Sequence, residues 1–174
     1  MSKFSEIYSK IRGAVLKAFG RAKTSRELTP EEMRSLADLW LAKQLKAYIL
    51  KASGERHADV RWKPRKGTNY DDGHPLLIKT GLLYRAVANS TVTVLRGKNG
   101  QIEFQAEVED KPYPKKRKSK GKPVTTKQVF LFHQYGTPKM PARPIFTKLS
   151  PQDQKEIDLF IEQFNKMNDK RKNH

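Results

Sequence analysis

Four histidines, His57, His74, His133 and His174, are the side chains of this sequence best suited to moving a proton or holding a metal near neutral pH. No two of them stand four residues apart, as a helical zinc pair does, and His133 has no acid at ligand spacing. His133 therefore reads as a partly buried hydrogen-bonding residue. Asp71-Asp72 is an acidic pair beside a turn. Adjacent carboxylates can ligate Mg²⁺, which is the one footing for a nuclease or other phosphoryl-transfer reading, but Asp-Asp-Gly is also ordinary turn chemistry. The chain has no cysteine, which excludes disulfides, thiol catalysis and thiolate-bound metal. It has no glycine-rich phosphate loop and no serine nucleophile elbow. No catalytic, metal-ligating or cofactor-binding residue is assigned, and the expectation is a protein that is not an enzyme.

Cationic side chains are the stronger signal. Lys and Arg number 36 against 18 Asp and Glu, a net charge of +18. Such a field favours phosphate, nucleic acid or an acidic protein surface. Residues 111–127 carry eight Lys or Arg and no acid, interrupted by Pro112, Pro114, Gly121 and Pro123. That composition cannot build a core, so an extended basic arm is expected. Lys115, Lys116, Arg117, Lys118, Lys120 and Lys122 could neutralise DNA phosphates with a steep salt dependence. Only Tyr113 offers a base-stacking ring, so sequence-specific reading is not expected. A solvated loop that merely keeps the protein soluble is the plain alternative.

The remaining chemistry-bearing residue is Arg143, inside Phe132–Phe146, a segment with Pro138, Pro141, Pro144 and Gly136. Proline fixes φ and removes a donor, and Gly136 permits a left-handed turn, so no long regular element fits here. A guanidinium on a stiffened backbone suits a carboxylate of a neighbouring subunit or one of its own chain. The segment is too apolar for a free loop. Its expected holders are the protein's own sheet and a second copy.

Several elements must position these groups. Phe4, Ile7, Tyr8, Ile11, Val15 and Phe19 recur at helical steps and predict a helix over 4–19, closed by Gly20. Thr29-Pro30-Glu31-Glu32 reads as a capping box with proline at the first helical position. The helix it opens runs to Ser53, a span of about 35 Å. Asp59–Trp62 could be a short strand, and Thr80 could cap a short helix whose Leu83 and Val87 face inward. Val92 and Val94, then Ile102, Phe104, Ala106 and Val108, alternate with polar residues around an Asn-Gly turn, a β-hairpin. Val129–Phe132 is a strand or one helical turn. A last helix follows Ser150-Pro151, with Ile157, Phe160, Ile161, Phe164 and Met167 as its stripe. The fold class is α+β: an antiparallel sheet with a hairpin, packed against long helices, with an extended basic loop. The expected organisation is an N-terminal helical pair over 1–55, an α+β domain over 56–168 and a frayed tail over 169–174. No stretch approaches the ~20 apolar residues of a membrane helix.

Two segments together resemble a known family. Leu77-Ile78-Lys79-Thr80-Gly81-Leu82-Leu83-Tyr84-Arg85-Ala86-Val87 resembles a helix start in the virion-morphogenesis, or tail-completion, proteins of tailed phages, the phage Mu G-like family. His133-Gln134-Tyr135-Gly136 and Met140-Pro141-Ala142-Arg143-Pro144-Ile145-Phe146 resemble that family's second signature. The match covers roughly residues 74–165. It implies a structural virion protein at the head–tail joint, made in the host cytoplasm. It also implies a homo-oligomeric, hexameric ring around the DNA channel, with other neck, connector and tail proteins as partners and packaged DNA within reach. His133, Tyr135, Pro141, Arg143, Pro144 and Phe146 are the subunit-contact candidates. The long N-terminal region and the large basic arm depart from the family pattern. The alternative is a non-sequence-specific nucleic-acid-binding protein.

Overall fold

A computed structural model of the chain describes residues 16–23, 27–63, 77, 80–97, 100–113, 124–138 and 140–172; for 16–23 and 168–172 it describes the backbone alone. The elements in chain order are β1 (Leu16–Lys23), α1 (Pro30–Ala52), α2 (Leu82–Ala88), β2 (Thr91–Arg96), β3 (Gln101–Glu107), α3 (Thr126–Tyr135) and α4 (Pro151–Lys172). The architecture is α+β. One antiparallel sheet in the order β1-β3-β2 carries the helices.

The hairpin forms where the alternation places it. Val92 faces Ala106 and Val94 faces Phe104. Ile102, Phe104 and Ala106 are buried while Thr91, Thr93 and Glu107 are exposed, so one face meets the core. The third strand corrects the sequence reading. Residues 16–19, expected as the end of a helix, are extended and pair with β3, Leu16 against Ala106 and Phe19 against Glu103. Leu16, Ala18 and Ala22 alternate with Lys17, Arg21 and Lys23, a two-residue period beside the helical one. The free edge of β3 offers that stretch backbone partners that a lone helix would not have. Gly20, read as a helix cap, lies within the strand. The rest of the predicted helix, 4–15, lies outside the described residues.

Helix α1 starts as its sequence dictates. Thr29 Oγ1 accepts from the Glu32 amide at 3.3 Å, and the Thr29 amide donates to Glu32 Oε2 at 2.9 Å. Its buried stripe includes Leu36, Trp40, Gln44, Ala47, Tyr48 and Lys51. Trp40 stacks on Phe104 of β3 with centroids 5.3 Å apart and planes within 9°. Phe146 and Phe130 extend the same aromatic cluster. Leu83 and Val87 of α2, Ile145, Ile157 and Ile161 share this core, so the N-terminal helix belongs to the same packed unit as the later elements.

One short segment differs from expectation, and a second settles between its two readings. Asp59–Trp62 is not a strand: His57 and Val60 exchange both backbone bonds at 2.9 Å around a tight turn. Ala58 and Asp59 hold φ of 45° and 65° there, unusual for side-chain-bearing residues. Val129–Phe132 lies inside α3, a helix opened by a second capping box, Thr125 with Gln128. Among the described residues, no helix is long and apolar enough to cross a membrane.

Candidate functional site: the proline-bounded ledge

The segment after α3, up to Thr147, is held by four side chains that read its backbone. Gln134, in the last turn of α3, accepts from the Ile145 and Phe146 amides at 2.9 and 3.0 Å and donates to the Phe146 carbonyl at 2.8 Å. Gln44 of α1 makes the equivalent pair with Thr147, at 2.8 and 3.1 Å. Lys51 Nζ donates to the carbonyls of Pro144 (2.9 Å) and Ile145 (2.8 Å) and lies 3.3 Å from Thr147 Oγ1. Trp62 Nε1 donates to the same Pro144 carbonyl at 3.0 Å. Proline supplies no amide at 144, and the neighbouring groups are paired by these amides and amines. An irregular backbone can be buried only when it is satisfied in this way.

Gly136 makes the turn possible. Its φ of 76° and ψ of 176° fall in a region almost closed to other residues. A Cβ there would stand 2.8 Å from the Ala142 nitrogen. The Arg143 amide then donates to the His133 carbonyl at 2.7 Å, which closes the ledge onto the end of α3.

The six subunit-contact candidates divide by exposure. Tyr135 is 55% exposed, and Pro141 is exposed beside Pro138 and Ala142. His133 and Pro144 are half-buried. Arg143 and Phe146 are covered by their own chain, 6% and 5% exposed. The Arg143 guanidinium donates through Nε to the Lys63 carbonyl at 3.1 Å, and Phe146 packs between Trp40 and Phe130. Within the single chain, then, Arg143 takes the intramolecular alternative, because a buried guanidinium needs acceptors and the loop after α1 supplies one. The outward surface of the ledge is Tyr135, Pro138, Pro141 and Ala142.

Of the basic arm, Lys115, Lys116, Arg117, Lys118, Lys120 and Lys122 lie outside the described residues, as do Asp71, Asp72, His74 and His174. The arm's two ends are described and are tied together. The Tyr113 amide donates to the Val124 carbonyl at 2.7 Å, and the Thr126 amide to the Lys111 carbonyl at 2.8 Å. Thr126 Oγ1 accepts from the Lys111 amide at 2.8 Å and donates to the Glu109 carbonyl.

Sequence reasoning passed over Gln44, Lys51, Trp62 and Gln134. Gln44 and Lys51 did carry a signal: two polar residues seven apart on the stripe that also holds Trp40 and Tyr48. His57, one of the four histidines weighed from the sequence, has its Nε2 3.0 Å from Asp153 Oδ2 in a buried pair that Ser150 and Lys43 join, an acid 96 residues away that spacing does not reveal. Burial alone pushes the Lys51 amine down from 10.5 to about 7. Burial, then the nearby Tyr113 and Tyr84, pushes the Tyr48 hydroxyl up, and that hydroxyl donates to the Leu77 carbonyl at 2.9 Å. Among the described residues, no group of three or more His, Asp or Glu is placed to hold a metal ion.

Compared with known proteins, the chain matches no protein-family model, no curated protein and no solved structure.

Proposed function

We propose that this protein is a non-catalytic structural component of a tailed-phage virion, a tail-completion or head–tail joining protein that assembles as a ring. One observation carries the reading: the two segments that resemble the phage family are built into one core. Leu83 and Val87 of the first pack in the same cluster as Ile145 and Phe146 of the second. The second segment then presents Tyr135 and Pro141 outward from a backbone fixed by Gln134, Gln44 and Lys51. A ring needs a rigid patch on each subunit for the next to cover, and a pre-ordered ledge spares association the cost of ordering it. Hexameric closure, neck or tail neighbours and residence in the virion follow from the resemblance. The basic arm, tethered at both ends, would face the channel and meet packaged DNA through phosphates alone.

Mass photometry and negative-stain imaging of the purified chain, alone and with phage connector proteins, test this. The expected result is a ring-sized particle that a Tyr135→Asp, Pro141→Asp double variant loses while its melting temperature stays within a few degrees of the parent. A chain that stays monomeric under every condition, yet binds duplex DNA with an affinity that collapses in salt, would support the nucleic-acid-binding alternative instead.

A further inference from the structure

Lys51 is a lysine with no exposed surface, and among the described residues all of its oxygen partners lie on one short stretch, Pro144 to Thr147. We propose that Lys51 couples release of this stretch to the uptake of one proton: the ledge is locked while the amine is neutral and opens as it becomes an ammonium.

The geometry is suited to the neutral amine. Two of its three partners are carbonyls, which only accept, and the third is the Thr147 hydroxyl at 3.3 Å, which can donate. A neutral amine has two hydrogens and one lone pair. It satisfies Pro144 and Ile145 as donor and Thr147 as acceptor, with nothing left over. An ammonium is also bonded there, and it lies 5.4 Å from the centroid of the Trp62 ring. It has, however, surrendered its hydration without a carboxylate in return among the described residues.

Among the described residues, burial is the cause acting on the amine and no carboxylate is paired with it. On α1, Tyr48 donates its hydroxyl to Leu77. From the loop after α1, Lys63 presents its carbonyl to Arg143, and from α3 His133 presents its carbonyl to the Arg143 amide. Arg143 itself precedes the stretch and is a second cation. Burial is the cause acting on Lys51, and it lowers the amine from 10.5 to about 7. When the stretch lifts away, the amine meets water and returns toward its ordinary value. The opened state therefore binds the proton more tightly than the closed one between those two pH values. Opening is suppressed as pH rises through that window and is insensitive to pH below it. This holds for a single chain and does not depend on ring assembly.

Hydrogen exchange of the Ile145, Phe146 and Thr147 amides in the full chain tests it. The opening constant, corrected for intrinsic exchange chemistry, should fall about tenfold per pH unit as pH rises above ~7, and should be flat in Lys51→Arg, which keeps its charge. A direct NMR titration of the Lys51 Cε resonance reads the same event in the unaltered protein, and Thr147→Val should move that titration upward. Opening that ignores pH in the native chain, or a Lys51 titration near its ordinary value, would overturn the proposal whether or not the variants fold.

Discussion

An added methyl group at position 136 has nowhere to go. It would meet the backbone of Ala142 and Met140 at 2.8 and 3.1 Å, on a backbone already at φ 76°. Gly136→Ala should therefore cost about 2 kcal/mol or more, combining a strained conformation with a clash against atoms that cannot rotate away. Urea denaturation reads that loss directly. Gln134→Ala should cost about 2–3 kcal/mol, because it strands two amides and a carbonyl that its side chain pairs. Only the first was legible beforehand. A glycine among prolines announces a turn, whereas Gln134 is an ordinary polar residue in sequence and gains its role only from the chain folding back eleven and twelve residues later.

Elements register their caps more plainly than their partners. Thr29 with Glu32 reads directly as a helix start, and the structure shows both bonds. Thr125 with Gln128 has the same spacing and opens α3, yet the apolar run Val129–Phe132 allows strand or helix alike, so only the cap decides. The stretch 16–19 fails for a different reason. Its residues satisfy a helical and an alternating pattern at once, and the decision belongs to the edge of β3, far away in sequence. Helix α4 is anchored at its start by Asp153, which is 3% exposed and bonded to Ser150 and His57. Burial opposes its charge, but Ser150, His57 and Lys43 together hold the carboxyl below its ordinary 3.8. The stability it contributes is present above that value and is lost as pH falls through the lower, folded one. Thermal melts should show an acid-induced drop below about pH 4 that Asp153→Asn reduces, with the loss centred on the start of α4 by hydrogen exchange.

At the scale of the whole molecule, charge and fold act separately. The core is built from Leu36, Trp40, Tyr48, Phe104, Ile145 and their neighbours, and among the described Lys and Arg residues only Lys51 and Arg143 are buried with it. DNA binding should accordingly be separable from stability. Neutralising Lys115, Lys116, Arg117, Lys118, Lys120 and Lys122 should flatten the salt dependence of duplex binding by several units of slope while the melting temperature stays within a few degrees. Gel-shift titrations across a range of salt concentrations measure the first, and calorimetry the second. Unchanged binding at low salt would remove the arm from any role at DNA.

The clasp between Tyr113 and Val124 has a practical consequence. Because those two residues close on each other at 2.7 Å, the two ends of the intervening segment are held side by side. Closing a longer chain between such ends costs only about 0.6 kcal/mol for each doubling of its length. The position is therefore a natural port for grafting. An epitope or a fluorescent reporter spliced there would mark the protein inside an assembling particle while Trp40, Phe104 and their cluster remain as they are.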